Sequence, residues 1–209
     1  MRQSFFGNTG ERLLGTSGEQ LAQSCFGTAQ RASEFYKQQV LPELNAVMQK
    51  FILEQEFVFI ATADAQGHAD SSFRAGPPGF IHILTPQRLA YPEYRGNGVL
   101  ASVGNILENP HVGMMFIDFF KSTIGLHVNG MARVVENSRL AQELDMTDAI
   151  RQASQVKGGR HPKCWIVVDV EEAYIHCSKH IPLMEKQDKS MHWGTDDKHH
   201  KRGDFFQSS

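Results

Sequence analysis

Cysteine is scarce in this chain, tryptophan is scarcer, and neither a cation excess nor a long apolar run is present. Each shortage removes a class of protein. The three cysteines, Cys25, Cys164 and Cys177, are odd in number, far apart and without a Cys-x-x-Cys pair. That pattern argues against a disulfide scaffold and reads as three reduced thiols. Lys and Arg number 21 against 23 Asp and Glu, a net charge of −2. Nucleic-acid binders carry a basic footprint, so no nucleic acid is expected as a partner. No apolar stretch approaches the ~18 residues that a membrane span requires. Met1 to Gly7 holds no signal-peptide core either. The expectation is a cytoplasmic protein with no membrane partner. The chain also has no Gly-x-Gly-x-x-Gly fingerprint, no Gly-x-Ser-x-Gly elbow and no His-Glu-x-x-His pair. Dinucleotide-fold, hydrolase and zincin readings therefore lack footing.

What is present suits a folded core. Apolar residues make up 41% of the 209 and charged residues 21%, which is ordinary globular usage. Residues 1–28 are rich in Gly, Ser, Thr and Gln and read as an irregular arm with a short helix around Glu11–Leu14. Residues 29–55 read as helix, with Phe35, Val40, Leu44, Val47, Met48, Phe51 and Ile52 near one stripe and Pro42 either starting a second helix or kinking the first.

The period then changes from helical to alternating. Strands are expected at Phe57–Ala63 and His68–Arg74 around the turn Asp64–Gly67, then at Phe80–Leu84 and Arg88–Tyr91. A helix is expected from Val99 to Glu108, ended by Asn109-Pro110. Strands follow at His111–Phe119 and Ile124–Val135, with a bulge at Asn129-Gly130. A helix from Ser138 to Val156 precedes a last strand, Trp165–Val170, that runs on towards Ile175. Short strands with frequent turns predict a mainly β fold, a closed barrel rather than a parallel sheet. The expected organisation is an arm and helical extension over 1–55, a barrel over 56–181 and a polar tail over 182–209 that is either mobile or draped on a partner.

Four segments carry polar groups suited to an anionic cofactor. In Ser71-Ser72-Phe73-Arg74, period two puts Ser72 and Arg74 on one face. A guanidinium beside a hydroxyl suits a phosphate; a solvated strand face is the alternative. Ala75-Gly76-Pro77-Pro78-Gly79 is a stiff loop that either lets a flat ring approach backbone donors or merely connects two strands. Tyr94-Arg95-Gly96-Asn97-Gly98 lies just before a helix start, a place where anions bind. Lys121, Thr123 and His127 could add phosphate, ribityl or ring-edge contacts, with a satisfied barrel histidine as the alternative for His127. A separate set, Cys164, His176, Cys177 and His180, offers zinc-type ligands at a spacing that fits no strong template.

Taken in order, these segments resemble the FMN-binding split-barrel family of pyridoxamine 5′-phosphate oxidase. The resemblance runs from about Phe57 to Ile181 and is strongest in Asp70–Phe80, Tyr91-Pro92, Arg95-Gly96-Asn97, Asn105–Gly113 and Val128-Asn129-Gly130. It implies a split β-barrel, a homodimer, FMN at the subunit interface and a small-molecule substrate. It also implies a phosphate held by Arg74 and Arg95 with help from Ser72, and a ring lined by Ala75 to Gly79. Ser71, Tyr94, Asn97 and His127 would join that site, with Lys121 and Thr123 approaching from a neighbouring strand or subunit. The oxidase itself usually has an arginine where this chain has His127, and its C-terminal Arg-x-Arg element has no match here. The resemblance therefore points to flavin binding and oxidoreduction more than to the vitamin reaction. The alternatives are a flavin carrier or redox sensor, a deazaflavin- or haem-binding relative, and a structural zinc protein. No catalytic acid or base is assigned; His127 and Tyr94 are the candidates.

Overall fold

The computed structural model of the protein describes residues 15–144, 146–156, 161–190, 192, 195, 197–200, 206 and 207. The expected helix at Glu11–Leu14 lies outside the described residues. The chain divides into two compact units, Met1–Leu41 and Pro42–Ser209.

The first unit is more regular than its composition suggests. α1 spans Ser17–Phe26 and α2 spans Ala29–Gln39. A capping box starts α1: the Thr16 hydroxyl accepts from the Glu19 amide, and the Glu19 carboxylate accepts from the Thr16 amide. Gly27, at φ 67°, ends it in the left-handed region. Part of the expected irregular arm is thus a capped helix. Neither α1 nor α2 buries a residue, so the apolar stripe read in 29–39 does not become core.

In the second unit, α3 (Ala46–Glu54) starts at Asn45, whose side chain accepts from the Met48 amide. Leu44 and Ile52 are buried in the barrel core. The boundary between units therefore falls at Leu41 and not near residue 55, because α3 belongs to the barrel's core.

Seven strands follow: β1 Phe57–Ala63, β2 Ala69–Ala75, β3 His82–Thr85, β4 Arg88–Glu93, β5 His111–Ile117, β6 Gly125–Glu136 and β7 Cys164–His176. All ladders are antiparallel, in the order β2-β1-β5-β6-β7-β4-β3. α4 (Ala101–Glu108) lies between β4 and β5 in sequence. The expected bulge occurs where the β6–β7 register shifts between Asn129 and Gly130. A Cβ at Gly130 would meet the Asp169 carbonyl oxygen at 2.1 Å, so only glycine fits there.

One hydrogen bond shows that this sheet is curled. β2 and β4 stand first and sixth in the order, so in a flat sheet they would lie about 24 Å apart, at ~4.8 Å per strand. Yet Arg74 on β2 donates from Nε to Glu93 Oε2 on β4 at 2.8 Å. Among the described residues no ladder joins β2 to β3, the two edges. The sheet therefore curls into a barrel that is split along that line, the split β-barrel that the family resemblance implies.

The barrel interior is one apolar cluster that includes Val58, Ile60, Met114, Phe116, Val128, Ile166 and Val168. A second cluster packs Trp165, Val167, Ala90 and Val135 under Leu140, Leu144 and Ile150. β7 is thus buried on both faces, which explains its unbroken apolar run. The segment that covers it is not the continuous helix expected from Ser138. It forms a 3-10 turn (Asn137–Arg139), α5 (Leu140–Glu143) and α6 (Asp148–Gln155), and Leu144 is extended. Thr147 caps α6, its hydroxyl accepting from the Ile150 amide. The start of the tail makes two contacts with the rest of the second unit. The Met184 amide donates to the Phe119 carbonyl at 2.8 Å, and Lys186 pairs with Glu56. No helix among the described residues is long and apolar enough to cross a membrane.

Candidate functional site at the split of the barrel

The split opens a cleft of about 410 Å3 between β2, the end of β4, the loop after it and the start of α4. That volume lies in the ~300–1,000 Å3 range of small-molecule sites. Strand alternation places Asp70, Ser72 and Arg74 side by side on the face of β2 that looks onto α4. The Ser72 hydroxyl is 3.0 Å from that of Ser102, which also donates to Asp70 at 3.5 Å. Opposite, Glu93 ends β4 and the loop 94–100 turns towards α4. The Asn97 side chain folds that loop by accepting from the Val99 amide at 3.0 Å. α4 begins after Leu100, which holds φ 55° and provides no side-chain cap. The first turn of α4 therefore meets the cleft with backbone N–H groups and the positive end of its dipole. The helix starts two residues later than the sequence pattern predicts.

The electrostatic centre is the Arg74–Glu93 pair. The Glu93 side chain is 7% exposed and that of Arg74 22%. Burial pushes the Glu93 carboxyl above its ordinary range, while the charge and hydrogen bond of Arg74 pull it back. Next to it, burial and the Glu93 charge push the Cys164 thiol up to about 11. Tyr91 is wholly buried and its hydroxyl has no hydrogen-bond partner among the described residues; burial pushes its ionisation upward. By formal count the cleft carries two cations, Arg74 and Arg95, and two anions, Asp70 and Glu93. Arg74 spends Nε on Glu93 and Nη1 on the Phe73 carbonyl. A guanidinium has five N–H donors, so donors remain for a ligand.

Of the residues predicted from sequence, Ser72, Arg74, Ala75, Tyr94, Arg95 and Asn97 line this cleft. Ser71, Gly76, Pro77, Lys121, Thr123 and His127 do not. Ser71 sits on the opposite face of β2 from Ser72. Gly76 has a packing reason of its own: the chain folds back so that a Cβ there would meet Phe80 Cβ at 2.4 Å. The Phe80 amide donates to the Pro77 carbonyl to close that turn. Lys121 and Thr123 lie in a loop ordered by Asp118, whose carboxylate accepts from the amides of Phe120, Lys121 and Ser122. His127 stacks on Tyr174 at 4.7 Å, with its Nε2 2.9 Å from His176 Nδ1. Burial and then His176 hold its imidazole below the ordinary range. Among the described residues no three His, Cys, Asp or Glu side chains converge as metal ligands. Cys164 is buried beside Glu93, whereas Cys177 is exposed.

Sequence reasoning gave no role to Asp70, Glu93 or Ser102. Asp70 was reachable, because it stands two residues from Ser72 on the same strand. Glu93 and Ser102 were not, because they reach β2 only through the curl of the sheet and the placement of α4.

The residues present fit a phosphorylated cofactor such as FMN: two guanidinium groups, two hydroxyls and an uncapped helix start converge on a cleft of suitable size. Among solved structures, the chain is similar to HupZ of Group A Streptococcus at 20% identity and a TM-score of 0.46, over 63% of this chain and 94% of HupZ. It is also similar to HutZ, the heme storage protein of Vibrio cholerae, at 17% identity and a TM-score of 0.41, over 64% of this chain and 94% of HutZ. Curated proteins give no match. The family model described as pyridoxamine 5′-phosphate oxidase matches residues 44–177, which takes in all seven strands and the whole cleft, and the chain belongs to that family.

Proposed function

We propose that the protein binds FMN in the cleft at the split and uses it to oxidise or reduce a small molecule. The observation that carries this is the convergence of Arg74, Arg95, Ser72 and the uncapped start of α4 on one cleft. Fixed donors of this kind hold a phosphate ester. Bound FMN would supply the hydride or electron chemistry, and the protein would supply binding, orientation and access. Ala75, Tyr94 and Asn97 would line the remainder of the cofactor.

A homodimer belongs to this reading. Phe57, Phe59, Phe73, Phe119 and Phe120 form one aromatic cluster, with Phe57–Phe73 stacked at 5.5 Å and Phe57–Phe119 at 6.0 Å. Phe73 is 52% exposed and also lines the cleft. Exposed aromatic surface of this kind supports association, and a second copy seated there would border the cleft. Ser71, Gly76, Pro77, Lys121, Thr123 and His127 would reach the cofactor only in such an assembly.

The test is the absorption spectrum of the freshly purified protein, with sedimentation of the same sample. Two flavin bands, release of FMN on heating and a dimeric mass are expected. A colourless protein that takes up no added FMN would overturn the reading in favour of a deazaflavin, haem or cofactor-free member. Turnover of a nicotinamide donor then separates an enzyme from a flavin carrier or redox sensor.

A further inference from the structure

We propose that Glu93 is the counter-ion that sets the strength of this anion site: it fixes the Arg74 guanidinium through Nε and opposes the charge of a bound phosphate, so the cleft holds a phosphate ester more tightly once the Glu93 carboxylate is neutral. This deepens the FMN reading and rests on the cleft being a phosphate site.

The geometry carries the argument. Glu93 and Arg74 line the same cleft and are joined at 2.8 Å. A phosphate on the free Nη donors of Arg74 would lie about 7 Å from the carboxylate, given two hydrogen bonds and the width of a guanidinium. At that range two like charges repel by well over tenfold in affinity at an effective dielectric near 20, and an open, screened cleft reduces this to about tenfold. Glu93 is 5% exposed, so water hydrates its carboxylate poorly and the cleft alone screens its field. The groups facing Glu93 are Arg74 from β2, Cys164 from β7, Tyr91 from its own strand and the Tyr94 amide, which donates to its carboxylate. Asp70, Tyr94 and Arg95 line the rest of the cleft. Cys164 and Tyr91 are both held neutral around physiological pH, because burial raises their ionisation. Glu93 is thus the group beside Arg74 whose charge can change. Burial raises its carboxyl above the ordinary range, so its charge is lost earlier than an ordinary carboxylate's as pH falls, and this offsets part of the affinity that the phosphate loses as it protonates near pH ~6.

Glu93→Gln separates charge from orientation, because the amide oxygen still accepts from Arg74 Nε. The measurement is the dissociation constant of FMN and of riboflavin, which lacks the phosphate, by flavin fluorescence quenching. At about pH 8, E93Q should bind FMN about tenfold more tightly than the natural protein and riboflavin within about twofold. The FMN advantage should shrink as pH falls, as the natural Glu93 takes up its proton. FMN binding by E93Q at about pH 8 that is equal or weaker overturns the proposal. Where neither protein binds FMN, the FMN reading fails separately. Thermal protection by inorganic phosphate then decides: greater protection of E93Q upholds the counter-ion, and equal protection overturns it. Where E93Q does not fold by circular dichroism, the natural protein suffices. Its FMN-to-riboflavin affinity ratio should fall towards acid less steeply than the phosphate's own ionisation near pH ~6 requires. A fall that follows that ionisation alone overturns the proposal.

Discussion

β4 carries an arginine–carboxylate pair at each end, and the two teach opposite lessons. At its start, Arg88 donates from Nε to Asp169 on β7 at 2.5 Å, with the two side chains 42% and 45% exposed. At its end, Glu93 accepts from Arg74 at 2.8 Å, with side chains 7% and 22% exposed. The bonding groups are the same. Arg88 and Asp169 are register partners in the β4–β7 ladder, and water shares the charge. Glu93 and Arg74 belong to strands that share no ladder and meet only because the sheet curls. An exposed pair contributes ~0–1 kcal/mol. A pair that hides a carboxylate from water holds the fold hostage to its partner, because removing one side leaves a buried charge.

The largest expected effect is therefore at Arg74. Arg74→Ala should cost about 3 kcal/mol in urea unfolding at about pH 8. The cost should shrink as pH falls. The Glu93 carboxyl is already raised by burial, and without Arg74 it rises further, so in acid it takes up a proton and the penalty is relieved. Stability of the variant then increases from alkaline to acid pH relative to the natural protein. A cost below ~1 kcal/mol with no pH dependence would erase the contrast between the two pairs. Loss of FMN in this variant would report on fold and ligand together, so Arg95→Ala, compared at equal stability, is the cleaner test of phosphate binding.

The same contrast explains what could be read from the chain. β7 was legible because Trp165 to Val168 are apolar without interruption, and burial on both faces demands that. The hairpin of β1 and β2 was legible from Asp64 to Gly67, whose turn is closed by the Gly67 amide donating to the Asp64 carbonyl. The polar half of the cleft was legible because Ser72 and Arg74 obey strand alternation. Its anionic half was not. Glu93 lies 19 residues from Arg74, and no local period links them; their meeting is a property of the closed curve. Gly76 misled for a related reason: a glycine-proline loop looks the same whether a ligand or Phe80 fills the space beside it. Helix breaks were the weakest part, since the extended Leu144 leaves no Gly or Pro to mark it.

Cys164 gives a smaller effect that sharpens the comparison. Burial first, and the Glu93 charge second, push its thiol up to about 11. Glu93→Gln removes the second cause and leaves the first. The pH profile of Cys164 alkylation, followed by mass spectrometry under native conditions, should move to lower pH but not reach that of an exposed thiol. Cys177, exposed and in the same molecule, serves as the internal reference. An unmoved Cys164 profile would mean that Glu93 carries no charge in the folded protein, and the buried pair would then be a neutral hydrogen bond.

The smallest effect is expected at the other end of the strand. Arg88→Ala removes an ion pair of shorter distance than that of Arg74, yet should cost no more than ~1 kcal/mol at low salt. That cost should fade as ionic strength approaches ~1 M, where the screening length is about 3 Å. Distance alone would rank Arg88 first; burial ranks it last. A salt-resistant loss of about 3 kcal/mol at Arg88 would invert the order and show that cross-strand register, rather than exclusion of water, determines what these pairs contribute.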